Sequence, residues 1–131
     1  MIVHFTVNGK PAGYDRNQAR WRATPKRQAE WRRSIQMAFR DAAGPGFKPP
    51  ELPVKVVAYF WGTNADLDNL MKEACDALNG LAWTDDGCII ELAAYAPDRV
   101  LGPGGHAAMR PLKKGESRSE GLAMGITYLV R

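Results

Sequence analysis

The fold of this chain is decided by residues 54–95, which read VKVVAYFWGTNADLDNLMKEACDALNGLAWTDDGCIIELAAY. The first part is apolar and rich in β-branched and aromatic residues, which predicts a strand over residues 54–61. Apolar residues then recur every three or four positions, which predicts a helix over residues 67–81. The apolar positions of this helix are Leu67, Leu70, Met71, Ala74, Leu78 and Leu81. A second strand is predicted over residues 88–95, and the strand–helix–strand order favours two strands side by side.

The sequence before this unit predicts a further strand and a further helix. Residues 2–8 alternate between apolar and polar side chains and run into a glycine–proline turn, which indicates a strand. Thr24 is a suitable N-cap, Pro25 suits the first helical position and Gly44 suits the C-terminal cap. We therefore expect a helix over residues 25–43.

The remaining segments are predicted as loops and one closing strand. Residues 14–23 are polar and arginine-rich, which indicates a loop. Residues 99–121 are rich in proline and glycine near their start and basic later, which predicts a long flexible loop. Residues 122–130 predict a final strand. We therefore expect an α+β (α/β layered) fold, in which residues 1–131 form a single small domain with a mixed β-sheet packed against two main helices.

The charges are segregated along the chain, although the net charge is only +4. Residues 1–50 contain ten Lys or Arg and three acids, whereas residues 64–98 contain eight acids and one cation, Lys72. A basic half suits a polyanion such as DNA. An acidic centre suits DNA only if a cation such as a divalent metal ion sits in it. The alternative is an ordinary solvated surface of mixed charge.

Composition also excludes several classes of protein. The chain has two cysteines, Cys75 and Cys88, without Cys-x-x-Cys spacing, which argues against a disulfide-stapled secreted domain and against a zinc site. It has no signal-peptide pattern and no apolar run near the roughly 20 residues of a membrane helix. We expect a cytoplasmic protein with no membrane partner and no small-molecule cofactor.

The candidate chemistry lies at the start of the second helix. Asp66 precedes Asp68 by two residues at the end of a predicted strand, and Lys72 lies one helical turn after Asp68. Asp85 and Asp86 come just before the next strand, which can bring one of them to the same sheet edge. Carboxylates suit Mg²⁺, and a nearby lysine suits a phosphoryl transition state. The alternative is that Asp68 caps the helix and forms an ordinary ion pair with Lys72.

This order of residues resembles the signature of the RusA-type Holliday junction resolvases, the crossover junction endodeoxyribonucleases. That signature is Asp-x-Asp-Asn, a lysine four residues after the second Asp, Asp-Ala-Leu, and an aromatic residue shortly before a paired Asp. The matching residues here are Asp66-Leu67-Asp68-Asn69, Lys72, Asp76-Ala77-Leu78 and Trp83-Thr84-Asp85-Asp86. The likeness covers roughly residues 1–95, more loosely upstream of the motif, and no motif of the family is recognised in residues 99–121.

The resemblance implies a function and a set of site residues. Asp66, Asp68 and Asp86 would be catalytic and bind the metal, and Lys72 would be the catalytic lysine. Asp85 would orient its neighbour or be simply exposed. The cofactor would be Mg²⁺, with Mn²⁺ as a substitute. The partners would be a second copy of the chain, in a homodimer, and a four-way DNA junction that receives paired cuts in recombination and repair. Such proteins often occur in phage or prophage genomes.

The basic half supplies the candidate phosphate contacts. These DNA-binding candidates are Arg16, Arg20, Arg22, Lys26, Arg27 and Arg33. Trp21 is flanked by arginines and is a candidate for stacking on bases. Three functions stay open: a junction resolvase, a less selective nuclease that cuts flaps, forks or other branched DNA, and a non-catalytic DNA-binding module.

Overall fold

The computed structural model describes residues 1–13 and 25–130, which form two helices and six strands. The helices are α1 (Pro25–Ala43) and α2 (Leu67–Leu78). The strands are β1 (Ile2–Asn8), β2 (Val54–Trp61), β3 (Ile89–Tyr95), β4 (Arg99–Leu101), β5 (Ala107–Met109) and β6 (Gly121–Tyr128). Short 3-10 turns at Asp86–Cys88 and Pro103–Gly105 precede β3 and join β4 to β5.

Four of the strands form one mixed sheet in the order β1-β6-β2-β3. β6 pairs antiparallel with both β1 and β2, whereas β2 pairs parallel with β3. The parallel pair is the one joined by α2, as expected for a strand–helix–strand crossover. The predicted α+β class, with a mixed sheet and two helices in one small domain, is therefore confirmed.

The core lies between one face of the sheet and the two helices. Alternate residues of each central strand are buried, for example Val56, Ala58 and Phe60 in β2. α1 turns three residues at helical spacing into this core, namely Trp31, Ile35 and Phe39. Burial of each such large side chain contributes about 1.5–3 kcal/mol. No helix in the described part of the chain is long and apolar enough to cross a membrane.

The predicted end of α2 at residue 81 is wrong, because the helix ends at Leu78. Asn79 is extended and Gly80 has a positive φ of 80°, so the backbone leaves the helix there. The following residues are instead drawn into the core, where the hydroxyl of Tyr128 donates to the carbonyl of Ala82 at 2.7 Å. Tertiary contacts therefore override the apolar spacing that Leu81 continues.

Residues 99–121 contain secondary structure that the sequence did not predict. β4 and β5 pair antiparallel and form a hairpin separate from the main sheet. Each strand has only three residues, and the connection at residues 102–106 is rich in glycine. Strands this short have too few residues to produce a recognisable alternation.

Candidate active site

Two of the predicted acids lie at the start of α2. Asp66 occupies the N-cap position, but its side chain makes no capping hydrogen bond. Asp68 lies in the first turn, and its Oδ1 accepts a hydrogen bond from the backbone nitrogen of Asn69 at 3.0 Å. Both residues are exposed. A capping carboxylate would accept from the second or third amide of the helix, so neither carboxylate acts as the cap.

Three of the predicted residues line one groove of about 550 Å³. Asp68 and Lys72 contribute to it from α2, and Asp86 contributes from the turn before β3. Asp66 precedes this stretch of α2 and is not part of the groove wall. The remaining wall residues are Met71, Cys75, Asp76, Ile89, Ile90, Glu91 and Leu92. A cationic and several anionic side chains thus share a depression with apolar walls.

Asp86 is held in place by a buried aromatic residue. The indole Nε1 of Trp83 donates to Asp86 Oδ1 at 2.9 Å, and Trp83 itself is fully buried. The carboxylate of Asp85, the residue before Asp86, bonds within the turn: its Oδ2 accepts from the backbone nitrogen of Gly87 at 2.9 Å. The two adjacent acids therefore differ: Asp85 stabilises the turn, and Asp86 presents a fixed carboxylate to the groove.

Lys72 forms its ion pair with Asp76 and not with Asp68. Its Nζ lies 3.0 Å from Asp76 Oδ2, one helical turn further along α2. Asp76 lines the groove as well, although the sequence analysis assigned it no role. The signal that pointed to it was the four-residue spacing of Asp68, Lys72 and Asp76.

The pKa of the Cys75 thiol reflects the burial and the charges around this wall residue of the groove. Burial, followed by the negative charges of Asp86 and then Asp76, raises the pKa of its thiol to about 12. The thiol is therefore neutral and unreactive at physiological pH. Asp76 lies on α2 and Asp86 on the turn before β3, and the charges of both carboxylates reach this one sulfur.

The groove contains carboxylates, which are among the ligands that Mg²⁺ takes in proteins. Within residues 1–13 and 25–130, no three His, Cys, Asp or Glu side chains lie close enough together to hold a metal ion. Mg²⁺, however, is usually bound through one or two carboxylates and keeps several waters. Asp68 and Asp86 supply two carboxylates to one groove, and no capping bond engages the side chain of nearby Asp66. These residues fit that mode of binding.

The predicted phosphate contacts divide into three groups. Arg16, Arg20 and Arg22 lie outside the described residues. Lys26 and Arg33 are exposed on α1. The remaining candidate, Arg27, is half-buried and donates from its guanidinium to the carbonyl oxygens of two residues that follow β1, Lys10 and Pro11.

A buried ion pair joins the basic helix to the helix of the groove. Arg32 of α1 donates from Nε to Glu73 Oε1 at 2.9 Å, and its NH2 lies 2.9 Å from the same oxygen. The Glu73 side chain is 3% exposed, whereas that of Arg32 is 42% exposed. A second bond joins the helices, from Gln36 Nε2 to the carbonyl of Ala77 at 3.0 Å. Glu73 directly follows Lys72, so these contacts fix the part of α2 that carries the lysine.

The β4–β5 hairpin braces the segment that leads into Asp66. The carboxylate of Asp98 accepts from the backbone nitrogen of Gly62 at 2.9 Å. Arg99 NH2 donates to the carbonyl oxygens of Thr63 and Ala65 at 2.9 and 2.6 Å. Asn64 Oδ1 accepts from the backbone nitrogen of residue 109 in β5 at 2.8 Å. Every residue from 62 to 65 is therefore bonded to the hairpin.

The comparisons with known proteins give one family. The family model described as Endodeoxyribonuclease RusA matches residues 6–104 of the 131-residue chain. No curated protein matches significantly. The matched range contains every residue of the groove and ends between β4 and β5.

Proposed function

Because this chain belongs to the RusA family of endodeoxyribonucleases, we propose that it resolves Holliday junctions by hydrolysing phosphodiester bonds, with Mg²⁺ as cofactor, in DNA recombination and repair. The observation that carries the proposal is the groove shared by Asp68, Lys72 and Asp86. All three lie inside the matched range. They combine the carboxylates and the cation that phosphodiester hydrolysis requires.

Each side chain has a distinct task in this proposal. Asp68 and Asp86 would hold the Mg²⁺ ion, and Asp66 would contribute from the N-cap position of α2. The bound ion supplies Lewis-acid polarisation of a phosphoryl oxygen. Lys72 adds a fixed positive charge where the phosphate becomes more anionic in the transition state. Trp83 keeps the Asp86 carboxylate in one orientation by its 2.9 Å hydrogen bond, so the site is preorganised.

The DNA would be held largely through its phosphates. Lys26 and Arg33 are exposed on α1, and the arginine-rich segment 14–23 directly precedes this helix. Each phosphate neutralised by a cation releases counterions, so affinity should fall with salt. If about six phosphates are neutralised, affinity should fall by about 10³ between 50 and 200 mM salt.

We also propose that the active species is a symmetric homodimer. One chain contributes one groove, whereas resolving a four-way junction takes two nicks related by a two-fold axis. A C2 dimer matches that symmetry and is the commonest closed oligomer. The chain exposes several large apolar side chains that an interface would cover. Among those outside the groove are Ile2, Tyr59 and Tyr95. Light scattering should give a mass near twice the chain's 14.5 kDa, and a stable monomer on the junction would contradict paired cutting.

The cleavage experiment uses labelled four-way junction, fork, flap and linear duplex, each with Mg²⁺ and with EDTA. We expect paired, symmetric nicks in the junction with Mg²⁺ and none in EDTA. Asp66→Asn, Asp68→Asn and Asp86→Asn should abolish cleavage and leave junction binding intact or tighter, since a negative charge near phosphate is removed. The matched control is Asp41→Asn, which removes an exposed acid from α1 outside the groove.

The outcomes separate the alternatives. Cleavage undiminished in EDTA would exclude the metal mechanism. Single nicks in forks and flaps with no paired cutting of the junction would indicate a less selective nuclease for branched DNA. Tight binding without cleavage of any substrate would indicate a DNA-binding module.

A further inference from the structure

The family match covers residues 98–118 only in part. This segment consists of the β4–β5 hairpin and the loop that follows it, and the match ends at residue 104. We refer to these residues as the arm. The arm lies between β3 and β6 in sequence but is not part of the main sheet.

The base of the arm is fixed to the segment that leads into Asp66 at the start of α2. Its bonds to residues 62–65 end one residue before Asp66, with Asp98, Arg99 and the backbone of β5 as partners. Arg110, the first residue after β5, donates from its backbone nitrogen to the carbonyl of Asp98 at 2.8 Å and so closes the hairpin. The arm therefore begins within a few residues of the acids that we propose to act on the cleaved strand.

The loop of the arm is strongly basic. Residues 110–118 read RPLKKGESR and contain four cations and one acid. That acid, Glu116, is used inside the loop: Arg110 donates to both of its carboxylate oxygens at 3.2 and 3.0 Å. The backbone nitrogen of Lys113 donates to the same carboxylate at 2.6 Å. These bonds hold the pKa of Glu116 below its usual value, so its charge remains paired with Arg110.

The cations that remain are presented at the surface. Lys113 and Lys114 are both exposed, and Arg118 is half-buried and donates to the carbonyl of Arg110 at 3.0 Å. The loop is thus a folded element with a surplus of positive charge. Positive charge at this density attracts a polyanion.

We propose that the arm binds the phosphate backbone of the duplex that flanks the cleaved strand, through Lys113, Lys114 and Arg118. This inference rests on the proposed function, because the position of the arm beside Asp66 matters only if DNA occupies the groove. A duplex is the partner that fits this position. It carries one charge per roughly 1.7 Å of its axis, so DNA bound at the groove continues past it as an unbroken row of phosphates.

The arm also links this contact to the site. DNA bound to the loop would contact the same arm that is hydrogen-bonded to residues 62–65. The hydrogen bonds of the hairpin therefore connect the proposed contact with flanking duplex to the backbone that carries Asp66.

The binding test compares two variants that each lose two positive charges. Lys113→Gln/Lys114→Gln neutralises the arm, and Arg40→Gln/Lys48→Gln neutralises two exposed cations at the end of α1 and just after it. Both are made in an Asp68→Asn background, so binding is measured without cleavage. Fluorescence anisotropy gives the Kd for a labelled four-way junction from 50 to 300 mM NaCl. Thermal unfolding of each variant checks that the fold is kept.

We expect the arm variant to bind the junction at least about tenfold more weakly at 100 mM salt, and to lower the slope of log K against log salt by about 1–2. The control variant should change the Kd less than about threefold. Equal Kd values and equal slopes for the two variants would overturn the proposal and direct attention to an acidic protein as the partner of the arm. Because the test uses binding alone, its failure is distinct from an absence of cleavage, which would count against the proposed function.

Discussion

The Arg32–Glu73 ion pair allows a prediction whose magnitude follows from the exposure of its two members. Removing one partner of a buried ion pair costs about 3–5 kcal/mol when the other charge is left buried and unpaired. The Glu73 side chain is 3% exposed, whereas that of Arg32 is 42% exposed and can be hydrated. The two single substitutions should therefore differ in cost. We expect Arg32→Met to lower the free energy of unfolding by about 3 kcal/mol and Glu73→Gln by about 1 kcal/mol.

Urea denaturation at pH 7 measures both values, and the double variant supplies the control. Arg32→Met/Glu73→Gln has no charge at this position, so it should be more stable than Arg32→Met alone. A Glu73→Gln variant that costs as much as Arg32→Met would refute the argument, since it would mean that burial does not decide the cost.

Three further predictions concern the groove. Lys72→Ala should slow cleavage by about 10² or more with Mg²⁺ binding preserved. A normal cleavage rate would mean that the lysine has a structural role and no catalytic one. Asp76→Asn should lower kcat without raising the Kd for the junction, and Asp76→Glu should restore part of the rate, because we expect Asp76 to position the ammonium of Lys72. Unchanged kcat in Asp76→Asn would contradict this. Cys75 should resist a thiol reagent at pH 8 until the protein unfolds. Since the pKa of its thiol rises from 9.0 to about 12 on folding, its contribution to stability is complete below pH 9 and is lost as the pH rises towards 12. Cys75→Ser should flatten that alkaline decline, and an equally steep decline in the variant would rule out the thiol as its cause.

Local signals made much of the fold predictable. β1, α1 and β2 begin and end where the sequence analysis put them. Each is marked by a local pattern: alternation in β1, β-branched and aromatic residues in β2, and a cap at each end of α1. The end of α2 was not predictable in this way, because Leu81 continues the apolar spacing while the Asn79-Gly80 turn ends the helix.

The shared groove was also predictable in outline. Asp68 and Lys72 lie one turn apart on α2, and a strand–helix–strand unit brings Asp86 to the same edge. The partner of Lys72 was not predictable, because Asp68 and Asp76 are both four residues away and the sequence is symmetric in this respect. The ion pair of Glu73 was not predictable for a different reason: its partner Arg32 is 41 positions away in the sequence.

The place of β6 in the sheet determines when the nuclease can acquire its structure during synthesis. β6 is the last of the described strands in sequence, yet it lies between β1 and β2 and, within residues 1–13 and 25–130, is the only sheet neighbour of β1. A ribosome releases chains from the amino terminus, so β1 and α1 emerge long before β6 does. The β2–α2–β3 unit can associate earlier, but β1 waits without a pairing partner until residues 121–128 have left the exit tunnel. Such long-range pairing is slow to form, and we expect incomplete chains on the ribosome to lack a finished sheet under the groove.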